Sequence, residues 1–266
     1  LADEKSLPVC PGHIDFTHPD FALLCARSGL RAGSLSWFYL SDDRCRSWQG
    51  PYRLPLFGMP GVSARTDYLV NGPQDCMLFL TGAKMDGEEG RVFAARTTDG
   101  GRSFHLLSPI GPEPAGFEIM PASLRLSPTR LLVAVRVKAT DAAFSADRHS
   151  IALYGSDDNG RSWTLRNQPV AESGRGGNPP TLTRLQDGRL CLVYGYRAAP
   201  YGLRAILSED EGVSWGAKIV LREDGGNPDI GYPRTVQRPD GSLVTVYYYN
   251  DQPEGERYIA ATIWRA

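Results

Sequence analysis

The amino-acid sequence predicts an all-β fold made of repeated units, and three observations predict it. One phrase, Ser/Thr-x-Asp-x-Gly-x-Ser-aromatic, occurs four times. It reads Ser41-Asp-Asp43-Arg-Cys45-Arg-Ser47-Trp48, Thr97-Thr-Asp99-Gly-Gly101-Arg-Ser103-Phe104, Ser156-Asp-Asp158-Asn-Gly160-Arg-Ser162-Trp163 and Ser208-Glu-Asp210-Glu-Gly212-Val-Ser214-Trp215. The starts lie 56, 59 and 52 residues apart, a period that marks a repeat architecture. Between the phrases lie alternating apolar runs joined by tight turns, and no stretch carries a sustained helical period.

Each part of the phrase has a physical task. The Asp bonds the backbone of its own turn, the Gly takes a positive φ, the hydroxyl residue closes the loop and the aromatic plugs the turn onto the core. Cys45 replaces the Gly in the first copy, so that turn is expected to depart from the others. The hairpins follow the same logic. Thr181–Tyr194 reads strand, Asp187-Gly188 turn, strand, and Thr235–Tyr247 repeats it around Asp240-Gly241. Ala122–Val135 is the same unit with a different turn.

The phrase resembles the Asp-box of sialidase-like, BNR-repeat β-propellers, where it joins the third and fourth strands of a blade. The resemblance covers almost the whole chain. It implies one propeller domain over 1–266, with four-stranded antiparallel blades near 13–61, 62–117, 118–176, 177–228 and 229–266. Five blades are visible, and six are expected if one precedes the chain. The fifth repeat stops at a third strand, Tyr258–Trp264. Residues 4–10 are expected to close it as a borrowed strand, or to be the last strand of an upstream blade.

Composition bounds the function. A length of 266 residues suits one large all-β domain, and a net charge of −1 without a basic run gives no nucleic-acid footprint. The apolar runs are far shorter than a membrane span, and Leu1-Ala-Asp-Glu-Lys-Ser lacks the apolar core of a signal peptide. The five cysteines form no CxxC and read as buried free thiols, which favours a reducing, cytoplasmic compartment. No cofactor is implied, and the oligomeric state is open. Gly12-His13-Ile-Asp15-Phe-Thr-His18-Pro-Asp20 offers two His and two Asp. As an extended segment it would send 13 and 15 to one face and 18 and 20 to the other, which argues against a metal site. His105 and His149 read as surface residues.

The resemblance also carries a site. Sialidases hold the substrate carboxylate with three arginines, whose planar fork matches a carboxylate bidentately. Their nucleophile is a tyrosine beside a glutamate, and an aspartate is the acid/base. Tyr232, in Gly-Tyr-Pro before a hairpin, resembles the nucleophile, although the family's following Ser is Pro233 here. Arg204, 28 residues upstream, resembles the third arginine, and Arg136, a further 68 upstream, the second. The glutamate falls at Glu118, 18 residues before Arg136, or at the place of Met120. The family's Arg-Ile-Pro motif and the aspartate after it are absent, and Arg65 with Asp67 is the substitute. Arg197, which ends a second strand as Arg136 does, competes with Arg204, and Arg234 is a further candidate. The expectation is that Arg136, Arg204 and Tyr232 share one axial pocket, with Glu118 against the Tyr232 hydroxyl. Tyr247-Tyr-Tyr249 is expected to send 247 and 249 to one face and 248 to the other, leaving core packing and sugar stacking both open. The activity implied is a sialidase-type exo-glycosidase acting on a terminal anionic sugar. A carbohydrate-binding or scaffold propeller without catalysis, and a lyase or other exo-glycosidase on the same scaffold, stand beside it.

Overall fold

A computed structural model of the chain describes residues 6–141 and 146–266. The fold is an all-β propeller with five blades. The first blade holds β1 (Ala22–Arg27), β2 (Ser36–Ser41) and β3 (Gln49–Arg53). The second holds β4 (Val62–Gly72), β5 (Asp75–Ala83), β6 (Glu89–Thr97) and β7 (His105–Pro109). The third holds β8 (Phe117–Arg125), β9 (Leu131–Asp141), β10 (Ala146–Ser156) and β11 (Thr164–Val170). The fourth holds β12 (Thr181–Arg184), β13 (Leu190–Tyr196), β14 (Tyr201–Ser208) and β15 (Ile219–Gly225). The fifth holds β16 (Gly231–Gln237), β17 (Leu243–Tyr249) and β18 (Tyr258–Trp264). The three middle sheets have four strands and the first and last have three, each in chain order with antiparallel neighbours.

Burial follows from the order of strands. The second strand of a blade is flanked on both sides, so β5 and β13 are buried almost throughout and read as continuous apolar runs. The outer strand β11 is mostly exposed. The Asp-Gly hairpins form as their sequence demands. The Gly188 N–H donates to the Leu185 carbonyl at 2.9 Å and the Gly241 N–H to the Arg238 carbonyl at 3.0 Å.

All four Asp-boxes take the geometry their residues call for. The Asp158 carboxylate accepts the N–H groups of Arg161 (3.0 Å) and Ser162 (2.9 Å) and the Ser162 hydroxyl (2.6 Å). Asp210 accepts the Ser214 N–H (2.8 Å), the Ser214 hydroxyl (2.5 Å) and the Ser208 hydroxyl (2.8 Å). The hydrogen bonds from Ser214, then Ser208, hold the Asp210 carboxyl down to about 2. Boxes also lean on the outer strand of the blade before. Ser108 of β7 donates to the Gly160 carbonyl at 2.6 Å, and Asn167 of β11 donates to the Gly212 carbonyl at 2.6 Å. Contrary to expectation, the turn of the first box keeps the common backbone without a glycine: Arg44 and Cys45 sit at φ 62° and 63°, as Asn159 and Gly160 do at 58° and 82°, because the Ser41 hydroxyl and the Asp43 carboxylate hold the turn. It differs in its aromatic, since Trp48 stays exposed while Phe104 is buried.

The structure divides into two compact units. Unit 1 comprises Leu1–Pro114, Ile119–Pro121 and Asp157–Trp163, with a core around Phe38, Leu78, Leu80, Phe93 and Phe104. Unit 2 comprises Ala115–Glu118, Ala122–Ser156 and Thr164–Ala266, with apolar clusters around Leu153, Leu192 and Tyr194 and around Leu203, Ile230, Tyr247 and Tyr249.

Two expectations about the beginning of the chain are corrected. Among the described residues β18 pairs with β17 alone and residues 6–10 do not join it, while residues 4 and 5 of the expected strand lie outside the described residues. Instead the Pro8 carbonyl accepts the Arg53 N–H of β3 at 2.9 Å. Residues 11–20 do not run extended. Asp15 accepts the Thr17 N–H and hydroxyl (2.9 and 2.6 Å), and a turn from Asp15 to His18 follows. His13, Asp15 and His18 therefore line one cavity of about 190 Å³ with Asp42 and Tyr52. Among the described residues no cluster of His, Cys, Asp or Glu is arranged to hold a metal ion. All five cysteines are free; Cys10, Cys76 and Cys191 are buried, Cys25 is partly buried and Cys45 is exposed.

Candidate functional site

The most distinctive backbone in unit 2 is at Tyr232, the second residue of β16. It is a non-glycine residue at φ 54°, and it is 43% exposed. A bulky residue in the left-handed region is an outlier that persists only where its surroundings impose it, and such residues cluster at functional sites. The left-handed turn comes at a register shift between Gly231 and Arg234. Beyond it the strand alternates, with Tyr232, Arg234 and Val236 outward and Pro233 and Thr235 inward.

The Tyr232 ring lies 5.6 Å from that of Tyr248 on β17, and the Arg197 guanidinium stands 5.9 Å from its centroid. Arg197, directly after β13, donates from Nε (3.1 Å) and Nη2 (2.9 Å) to the Ile230 carbonyl and from Nη2 to the Tyr248 hydroxyl (2.7 Å). Tyr248 in turn donates to Asp229 at 2.7 Å, and Asp229 is ion-paired with Arg257 at 2.9 Å. The Tyr248 hydrogen bond holds the Asp229 carboxyl below the usual range against partial burial, with Arg257 adding to the effect. Burial pushes the Tyr248 phenol up. Asp229 is thus an anionic anchor and Tyr248 a neutral relay to Arg197. Among the described residues nothing hydrogen-bonds the Tyr232 hydroxyl.

Arg136 on β9 reaches the connection between β11 and β12. Its Nη2 donates to the Gly176 carbonyl, and its guanidinium lies 5.3 Å over the Phe117 ring. Arg197 Nη1 stands 3.9 Å from where a Gly176 side chain would begin, so both guanidiniums flank residue 176. The structure therefore brings together Arg136, Arg197 and Tyr232 around the segment 173–178.

The other sequence-derived residues go elsewhere. Arg204 lies on β14, the third strand of its blade, and is 6% exposed. Its guanidinium donates to the carbonyls of Leu203 (3.2 Å), Arg222 and Pro200 (3.2 Å) and stacks 5.4 Å from Tyr196. It is a strap between β14 and the chain around it and does not join Tyr232. Glu118, expected against Tyr232, instead accepts the Tyr154 hydroxyl at 2.9 Å, and its second oxygen is buried without a hydrogen bond. Burial lifts the Glu118 carboxyl to about 7, opposed by the Tyr154 hydrogen bond. The reason is the sheet: β10 lies in the same sheet as β8, so a phenol of its own blade reaches Glu118. Arg234 is exposed on the face that carries Tyr232. In unit 1, Arg65 of β4 is paired with Glu89 of β6 at 2.9 Å, both largely shielded, and Asp67 is partly buried opposite Phe79.

Sequence reasoning missed Asn178, Asp229 and Arg257, which lie in connections without a motif. It also placed His149 on the surface. His149 is buried, its ring 6.2 Å from Phe117, and burial and the Arg136 charge hold its pKa down. The alternation in Tyr247-Tyr-Tyr249 holds: 247 and 249 are core residues and 248 faces Tyr232.

Comparison with known proteins agrees with this architecture. A crystal structure from Dyadobacter fermentans, of a protein of unknown function, superposes with a TM-score of 0.74 at 21% identity over 94% of this chain and 74% of that one. The endo-arabinase of Bacteroides thetaiotaomicron gives 0.57 at 14% identity over 98% and 97% of the two chains. The NanB sialidase of Streptococcus pneumoniae gives 0.63 at 15% identity over 87% of this chain and 36% of that one. At these identities the likeness is one of fold. No curated protein matches the sequence. The BNR repeat-like domain matches residues 21–245, and the chain belongs to that family.

Proposed function

We propose that the protein is a carbohydrate-active propeller that works at the Tyr232 face of unit 2, as an exo-glycosidase removing a terminal anionic sugar such as sialic acid. The single observation that carries this reading is the exposed, left-handed Tyr232, with Arg197 and Tyr248 against its ring and Arg136 bonded to the nearby Gly176 carbonyl. A phenol next to fixed cations suits an anionic sugar, because a neutral nucleophile is not repelled by the substrate carboxylate. Two aromatic faces beside a guanidinium suit the apolar face of a sugar ring and its charged substituent. The sialidase and the arabinase of similar fold support a glycan substrate.

One observation favours a second reading, a glycan-binding propeller without catalysis. Glu118 is engaged by Tyr154, so the base that would activate Tyr232 is not the residue the family pattern names. Turnover of 4-methylumbelliferyl sialoside and arabinoside by the intact chain, with titration of free sialic acid, separates the two. The enzyme reading expects release of the fluorophore that Tyr232→Phe abolishes while binding persists. Binding without turnover favours the second reading, and neither binding nor turnover removes both.

A further inference from the structure

We infer that Asn178 is a positioning residue whose side-chain amide holds Tyr232 in its left-handed backbone and sets Arg197 over the ring. The inference rests on Tyr232 being the working group of the site proposed above.

The Asn178 side chain has no exposed surface, and both ends of its amide are engaged. Oδ1 accepts the Tyr232 N–H at 3.0 Å and the Gly195 N–H at 3.3 Å. Nδ2 donates to the Ile230 carbonyl at 2.9 Å, the same oxygen that takes the Arg197 fork. One buried amide thus ties β13, the approach to β16 and the tyrosine itself. A left-handed non-glycine residue costs about 1–3 kcal/mol unless its neighbours over-determine it. Here the amide satisfies the backbone N–H that this conformation turns inward.

The surrounding sequence makes room for the device. A Cβ on Gly231 would come within 2.3 Å of Nδ2, and one on Gly195 within 2.8 Å of the Asn178 Cγ. Stability alone would place glycine at 232, since glycine adopts that φ without strain. The site instead carries a tyrosine whose ring contributes little to the core. A local rule broken at a position buttressed on three sides marks a residue kept for what its side chain does.

The test places 3-fluorotyrosine at position 232 of the full chain and records its fluorine spectrum in the parent, Asn178→Ala and Gly195→Ala. Gly195→Ala leaves every hydrogen-bonding group in place but pushes on the amide, and so serves if Asn178→Ala does not fold. The expected result is one sharp line in the parent, shifted and broadened or split in either variant. The thermal destabilisation by Asn178→Ala should also shrink when position 232 is glycine, because the strain it relieves is then absent. In a glycosidase, Asn178→Ala should lower kcat by on the order of a hundredfold with little change in KM, the scale of a misplaced reacting group. An unchanged fluorine line in the folded variants, or destabilisation that simply adds in the glycine background, overturns the inference. A moved line in a protein that turns over no glycoside leaves the positioning role intact and removes the enzyme reading alone.

Discussion

Arg204→Ala separates the role the repeat pattern implies for this arginine from the one its surroundings define. If Arg204 bound substrate, its loss would weaken an anionic ligand and leave the fold unchanged. In the structure the guanidinium is buried and donates to three carbonyls, those of Leu203, Arg222 and Pro200, while Glu223 stands 3.9 Å away. Hydrogen bonds to a charged group contribute roughly 1.5–3 kcal/mol each, offset by the cost of burying the guanidinium. Truncation also leaves carbonyls without a partner and removes the stacking on Tyr196. The net loss is about 2–5 kcal/mol, the usual range for removing one partner of a buried charged network. For a chain of this size each kcal/mol moves Tm by roughly 2–4 °C, so a fall of about 4–20 °C is expected. The assay is thermal unfolding by near-ultraviolet circular dichroism, paired with glycan titration at a temperature where the variant is folded. Arg204→Lys, which keeps a charge but loses the planar fork, should fall between parent and alanine. Binding per folded molecule should hold in Arg204→Ala and fall at least tenfold in Arg197→Ala. An unchanged Tm with loss of binding in Arg204→Ala would refute the reasoning and return Arg204 to the site.

Three further outcomes follow from the same geometry. Asp158→Ala removes the hydrogen bonds from Arg161 and Ser162 within one Asp-box and should lower stability by on the order of 1 kcal/mol by urea titration, with ligand binding per folded molecule intact; selective loss of binding would contradict a structural role. The Glu118 carboxyl is raised by burial from 4.5 to about 7, so the folded state binds the proton more tightly and its contribution is full below pH 4.5 and lost as pH rises through 7. Stability measured from pH 5 to 8 should therefore decline by an amount that Glu118→Gln abolishes, on the order of 3 kcal/mol at most; an equal slope in both proteins would show that Glu118 is not the titrating group. Ile259 is 75% exposed on β18, the edge of its sheet, so Ile259→Lys should reduce aggregation by light scattering while leaving Tm within about 2 °C of the parent; a large fall in Tm would mean that the side chain packs in solution.

Much of the architecture was legible because its determinants are local. An Asp-box closes with hydrogen bonds spanning four residues or fewer, and an Asp-Gly hairpin is decided by two, so each turn announces itself wherever the chain places it. The alternation that buried Tyr247 and Tyr249 and released Tyr248 needs only the period of a strand. Tyr232 was legible as a candidate through its place before a hairpin. Its left-handed backbone was not, since that conformation is imposed by Asn178, 54 residues away.

By itself, then, the sequence determined the class of fold, the number of visible blades, the structural duty of the four boxes and a short set of arginines and acids. Tertiary structure alone decided which of them meet. Arg197 directly follows β13 and Arg204 sits within β14 of the same blade, and the two look alike in sequence. One turns toward Tyr232 because the Ile230 carbonyl and the Tyr248 hydroxyl receive it, and the other turns into its own blade because three carbonyls receive it there. Glu118 likewise meets Tyr154 because β10 shares its sheet. A guanidinium or a carboxyl settles on whichever partners can replace its water, and for Arg197 and Glu118 those partners come from segments more than 30 residues away, where no local pattern records them.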